Sequence, residues 1–217
     1  MKRTILSCLG LMLMLSSCVK KPAPVPVGEA KVRFTNAALG SSAQDCYVNS
    51  QKKNNGGLIY GASSNSITIT SGDNSFVFTD EGSTTINEGT GGTIQIGASY
   101  SIFYLKTQLQ QPAAVGLMED NAVVAGKAKV RFLHFNSFLN ASVAIKNQAG
   151  ETLTAGVGFA SSTPYYTVEP GTKFTLTATG VTTVPVVDAG LLAGKNYTIW
   201  LSGPSATELT YYTITQN

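Results

Sequence analysis

The chain has 217 residues, 12% of them charged, and a formal charge of +3; it contains three cysteines, one tryptophan and a single histidine. So small a positive excess gives no electrostatic footprint for nucleic acid. One histidine is too few for a multi-histidine metal site and allows at most one Ser-His-Asp or Cys-His arrangement.

Lys2 and Arg3 form a basic start, and Ile5 to Leu15 follow as an apolar run too short to span a bilayer as a mature helix. The run ends in Leu15-Ser16-Ser17-Cys18, which resembles the lipobox of bacterial lipoprotein signal peptides. The resemblance implies that residues 1–17 are removed. It also implies that Cys18 becomes the N-terminus, bearing a diacylglyceryl thioether and an N-acyl chain such as palmitate. That exceeds the two lipid signals stable anchoring needs, so the mature protein is expected to sit on a membrane without crossing it. Removing residues 1–17 from 217 leaves 200, and the loss of Lys2 and Arg3 takes the formal charge from +3 to +1. Cys8 leaves with the signal and Cys18 carries lipid, so Cys46 has no disulfide partner within the chain.

Residues 18–29 read as a tether. Pro22, Pro24 and Pro26 at alternate positions favour an extended, semi-stiff backbone of about 3 Å per residue. Lys20 and Lys21 either touch anionic headgroups or are plain solvated spacer. Some surface-exported lipoproteins of Gram-negative groups carry acidic residues at this place, so the expected address is the cell envelope, at an outer membrane, with the leaflet open.

From residue 30 onward the pattern is that of strands. In Ala30-Lys31-Val32-Arg33-Phe34 apolar and cationic side chains alternate, which places Val32 and Phe34 in a core and Lys31 and Arg33 in water. Cys46 and Val48 alternate with Asp45, Tyr47 and Asn49, so Cys46 reads as a small buried hydrophobe rather than a reactive thiol. Asn54-Asn55-Gly56-Gly57 is turn chemistry, Ser66 to Thr70 a strand, and Ser71-Gly72-Asp73-Asn74 its closing turn. The Gly- and Thr-rich stretch 82–93 is expected to be a loop, and Ile94 to Leu105 more strand. Residues 122–127 form a connector short enough to hold what it joins close together, end to end. Further strands are expected at 130–135, 141–146, 165–168, 174–179, 197–201 and 211–215.

The connector separates two copies of one text. Ala-Lys-Val-Arg-Phe at 30–34 returns letter for letter at 128–132, an offset of 98. Ala62-Ser63-Ser64 matches Ala160-Ser161-Ser162 at the same offset, and Ser71-Gly72 falls opposite Pro170-Gly171 near it. Gly97 to Phe103 matches Gly194 to Trp200 at an offset of 97, the slip falling in loops where length changes cost little. A repeat of this period predicts one folding unit used twice: an all-β chain of two tandem immunoglobulin-like or transthyretin-like β-sandwich domains, 30–121 and 128–217.

These phrases, with Asp45-Cys46-Tyr47-Val48-Asn49, Val168-Glu169-Pro170-Gly171-Thr172, Gly194-Lys195-Asn196-Tyr197-Thr198 and the seam Leu117 to Val130, resemble domain-of-unknown-function family 4397. Its members are small β-sandwich repeats on secreted and lipid-anchored bacterial proteins. The resemblance spans roughly 30–215 and implies no activity. A His-Ala-Ser-Pro-like segment after the family's first strand survives only as His134 in the second copy, with Asn36 in the first.

No catalytic residue, cofactor or metal site is assigned. His134 follows a strand and reads as structural. Asp80, Glu81 and Glu88 lie in or beside the glycine-rich stretch without the alternate-aspartate spacing of a calcium loop. On Tyr197-Thr198-Ile199-Trp200-Leu201, Trp200 faces away from Tyr197, Ile199 and Leu201, and Phe103 holds the same place in the first copy. Exposed, these two would form a surface for a glycan or a protein; otherwise both faces of the strand are covered. The expected function is a non-catalytic, lipid-anchored envelope binding or scaffold protein, with an accessory subunit of an outer-membrane complex as alternative and a glycan-acting hydrolase a distant third.

Overall fold

The computed structural model describes residues 26–217, and among these every named element is a β-strand. The first half runs β1 (Glu29–Asn36), β2 (Gln44–Val48), β3 (Gln51–Lys52), β4 (Ile67–Thr70), β5 (Gly72–Asp80), β6 (Ile86–Ile94), β7 (Ser99–Lys106) and β8 (Pro112–Met118). The second runs β9 (Ala128–His134), β10 (Val143–Asn147), β11 (Thr152–Val157), β12 (Tyr166–Val168), β13 (Phe174–Thr177), β14 (Asn196–Ser205) and β15 (Glu208–Thr215).

Four sheets form, and no strand crosses from one half to the other: β3-β2-β5-β6 and β4-β1-β7-β8, then β12-β9-β14-β15 and β11-β10-β13. All ladders are antiparallel except β1 with β7 and β9 with β14. The two parallel pairs are in matching register, Phe34 beside Ile102 and Phe132 beside Ile199. The repeated phrase therefore occupies the same place in two sheets of the same order.

Each half buries its own core. Val32, Phe34, Cys46, Val48, Phe76, Phe78 and Ile102 fill the first, where Phe34 meets Phe76 and Phe78 edge to face at 6.1 and 5.6 Å. Val130, Phe132, Val143, Ile145, Phe174 and Ile199 fill the second, with Phe132 against Phe174 at 5.0 Å. A third apolar cluster lies between the β1 and β9 sheets: Ala37, Phe103, Leu105, Leu133, Phe135, Trp200 and Ile214, flanked by Tyr60, Val115, Leu117, Phe159 and Tyr212. The halves thus pack sheet face on sheet face, not end to end, and make a stack of four layers. The two inner sheets are covered on both sides. This is the setting in which parallel strand pairs are normally found.

Three local expectations change. The stretch 82–93 holds most of a strand, β6, hydrogen-bonded to β5 from Gly72↔Ile94 to Thr79↔Ile86. Glycine is needed there because a Cβ on Gly89 would lie 2.9 Å from the Phe76 carbonyl oxygen, so close backbone approach replaces side-chain packing. Asp45 does not face water: it is 1% exposed and pairs with Lys52 at 2.7 Å. Arg131 is 4% exposed instead of solvated, because the other half covers the outward face of β9.

Candidate functional site

Cys18, the expected lipidation site, lies outside the described residues. Trp200 and Phe103 are both 0% exposed. Trp200 stacks on Tyr212 at 4.1 Å and meets Tyr60 of the first half edge-on at 6.0 Å, while Phe103 packs on Phe135 of the second half at 5.1 Å. Alternation correctly sets Trp200 apart from Tyr197, Ile199 and Leu201, but that face is the seam between halves. Neither aromatic is open to a ligand.

The arginines of the repeated phrase cross the same seam reciprocally. Arg33 donates to the Thr215 carbonyl and Arg131 to the Met118 carbonyl, each at 2.7 Å. The acceptors occupy equivalent register, Thr215 opposite Tyr197 and Met118 opposite Tyr100. Arg131 also donates through Nε to Thr198 Oγ1 at 2.9 Å and lies over the Tyr165 ring. Burial lowers its pKa, opposed by Tyr165, Glu119 and Asp120. Lys129 pairs with Asp120, and the Asn196 side chain donates to the carbonyls of Asp120 and Ala122, so the connector is tied to the second half.

His134 is 0% exposed, and its Nδ1 accepts from the Asn136 amide at 3.3 Å. Asn36, its counterpart 98 residues earlier, does the same through Oδ1 for the Ala38 amide at 3.0 Å. With Nδ1 accepting, the proton of the neutral ring sits on Nε2. This is a buried, turn-capping histidine. Cys46 is likewise 0% exposed, and burial with the neighbouring Asp45 charge raises its pKa. Asp80 Oδ1 accepts from Gln44 and Asn87, Glu81 Oε1 from the Gly57 amide, and Glu88 Oε1 from the Gly89 amide. Among the described residues no group of three or more His, Cys, Asp or Glu side chains is placed to hold a metal.

What the sequence does not announce is a cleft that occurs twice. Each lies where the edge strand of an inner sheet faces the edge strand of the outer sheet: β4 with β3 in the first half, about 350 Å³, and β12 with β11 in the second, about 440 Å³. The linings correspond through the β1–β4 and β9–β12 ladders: Glu29 with Lys127, Thr68 with Thr167, Ile69 with Val168 and Thr70 with Glu169. One of the four pairs reverses the charge, Glu29 with Lys127, and another sets the Glu169 carboxylate in the place of the Thr70 hydroxyl. The sequence predicts the inner edge strands, at 66–70 and 165–168, but neither of the outer ones, β3 and β11, that complete the clefts.

The family model for "Domain of unknown function (DUF4397)" matches residues 30–141, and the chain belongs to that family. The match covers the first half, passes through the connector and β9, and ends short of β10. No curated protein matches the chain. Among solved structures it is similar to CBMbc (family CBM26) from Eubacterium rectale Amy13K in complex with maltoheptaose: 12% identity, 87% of this chain and 98% of that one, TM-score 0.28. A structure described as alpha-glucan binding by a streptococcal virulence factor is 10% identical over 84% of this chain and 96% of that one, TM-score 0.25. At such TM-scores, what this chain binds has to be argued from its own residues.

Proposed function

We propose that this is a non-catalytic, lipid-anchored protein of the bacterial cell envelope that presents binding surfaces on a stiff stack of two tandem β-sandwich domains. On this reading both domains, 30–121 and 128–217, are copies of one family unit of immunoglobulin-like or transthyretin-like type, and Cys18 carries the lipid. The observation that supports binding is the recurrence of one open cleft at matching positions in two halves whose relative placement is held by a buried apolar seam. Catalysis finds no support: the one histidine is enclosed and spends its free lone pair on a backbone amide. A hydrolase working with two facing carboxylates finds no support either, the twelve acidic residues being scattered along the chain.

A second reading, an accessory subunit of an outer-membrane complex, is favoured by Leu109. It is 83% exposed at the tip of the β7–β8 hairpin, between Gln108 and Gln110, which hydrogen-bond to Leu139 and Ser137 of the other half. On this reading the tip, tied to the other half on both sides of Leu109, is where a protein partner would be seated.

The anchor is tested by labelling cells with radioactive palmitate. Wild type should carry label and sediment with outer membrane, and Cys18→Ser should lose both; equal labelling of the two would remove the anchor. A glycan-array signal from the unlipidated mature chain, against co-purification with a membrane complex, separates the two readings of the bound partner.

A further inference from the structure

Resting on the binding reading above, the geometry points to the β11–β12 cleft as a subsite for a neutral saccharide, with the Tyr166 ring as its platform and Glu151 as its principal polar contact. The volume, about 440 Å³, falls in the range of about 300–1,000 Å³ usual for small-molecule sites. Its floor is apolar: Leu153, Tyr166 and Val168 are half-buried and pack against the second core. A pyranose has the matching shape, one face of C–H groups that rests on an aromatic ring and an equator of hydroxyls that need acceptors.

The rim supplies an acceptor that is already oriented. Asn147 accepts from the amides of Ala149 and Glu151 and donates through Nδ2 to Glu151 Oε2 at 2.7 Å. The turn therefore holds the Glu151 carboxylate in place while leaving Oε1 to accept ligand hydroxyls. Charge chooses among saccharides. Lys127 is neutralised by its ion pair with Glu169, which leaves Glu151 as the uncompensated charge of the lining and disfavours uronic acids, sulfated sugars and phosphates.

An added peptide strand is the competing occupant of any cleft between sheet edges. Here both edges are blunted against it. β12 has three residues, and the β10–β11 ladder slips register twice, between Val143 and Ile145 and again between Ile145 and Lys146. In the first half, Ile67 stands opposite Val32 where Tyr166 stands opposite Val130, so that cleft lacks the aromatic platform.

The test is an array of neutral oligosaccharides printed beside uronic-acid and sulfated ones, probed with the unlipidated mature chain, then titration of the strongest neutral binder. Tyr166→Ala should weaken that binder about tenfold or more, the loss of one stacking contact. Tyr166→Phe should keep affinity within about threefold, and Glu151→Gln, at an exposed position, should weaken it several-fold with an unchanged melting temperature. Neutral binding untouched by both Tyr166→Ala and Glu151→Gln would overturn the subsite and leave the broader binding function standing. Preference for acidic glycans, or no glycan bound at all, would overturn the saccharide assignment; in the latter case capture of a membrane complex would preserve the accessory-subunit reading.

Discussion

The two halves carry the same opening phrase on the same strand, and its arginine lives in two environments. Arg33 is half-buried at the rim of the seam and makes one hydrogen bond, to Thr215. Arg131 is 4% exposed, bonded to Met118 and Thr198, and lies near Glu119 and Asp120. The difference comes from the residues that leave the last strand of each half. After β8 the chain continues as Glu119 and Asp120 and covers Arg131, with Glu119 accepting from Ser101; after β15 the counterpart of Glu119 is Gln216, which donates to Thr198. Duplication copied the strand but not its electrostatic surroundings, so equivalence in sequence must be tested position by position.

The outer sheets differ as well. In the first half β6 is a nine-residue strand on the edge of β5. In the second the corresponding edge, beside β13, is closed by irregular chain. Val187 exchanges backbone hydrogen bonds with Phe174, Leu191 is buried in the core, and Val181 and Val184 pack half-buried against it. Pro185, which has no amide hydrogen to donate, sits in the middle of that segment and is poorly suited to an extended ladder. The first half closes with backbone and glycine, the second with side chains.

The largest expected effect treats the halves alike. Phe34→Ala and Phe132→Ala each remove a wholly buried ring from a separate core and should cost about 3–5 kcal/mol in urea denaturation. That is a large part of the roughly 5–15 kcal/mol available to such a protein. Because the third cluster joins the halves, either variant should lower one common transition; two separated transitions in the wild type would mean that the seam is too weak to couple them.

The next effect separates the halves. Arg131→Ala strips charge-assisted hydrogen bonds from a buried site and should cost about 2–3 kcal/mol. Arg33→Ala, at a half-open rim, should cost less than about 1 kcal/mol. Equal losses would show that Glu119 and Asp120 do not distinguish the two sites.

Much of this architecture was legible in the residues. Alternation placed Val32, Phe34, Cys46, Phe132, Tyr197 and Ile199 inside, and Gly72, Gly97, Gly171 and Gly194 all take the positive φ of turns. Alternation divides a strand into two faces without saying how many of them are covered. Arg131 was misplaced, and Trp200 and Phe103 were left open between exposed and covered, for that single reason, since burial of the second face depends on a partner sheet with no signature in the strand itself. β6 was illegible because its glycines serve the neighbouring backbone instead of a core. The clefts were illegible because their outer edge strands leave almost no periodicity to read, β3 having two residues and β11 slipping register twice, although β4 and β12 were expected at 66–70 and 165–168.

A smaller effect concerns Gly61, whose φ is +86° and whose added Cβ would lie 2.6 Å from the Tyr212 ring across the seam. Its counterpart is Ala160, whose amide donates to the His134 carbonyl as that of Gly61 does to Asn36 and whose φ is +55°. Gly61→Ala should cost about 1–2 kcal/mol through the left-handed backbone alone, with any further loss reporting the clash. Tyr212→Leu in the same background should recover only the second part. Full recovery would show that the backbone conformation carries no penalty.

The smallest effect is a pH dependence confined to one half. Burial lowers the pKa of His134 below its ordinary 6.5, although the nearby Ala141 and Leu139 carbonyls favour the charged ring. Protonation would also set a proton on Nδ1 against the Asn136 amide that donates to it. The folded state thus binds fewer protons than the unfolded state in the window below pH 6.5. His134 costs no stability above that window and progressively more as the pH falls through it, with a slope no steeper than about 1.4 kcal/mol per pH unit. Asn36 performs the same capping in the first half without titrating, so His134→Asn should keep the cap and flatten the profile between pH 7 and 5. Urea midpoints at half-unit pH steps measure this directly. A variant that retains the full wild-type slope would place the titrating group elsewhere and leave His134 as a cap that protonation does not disturb.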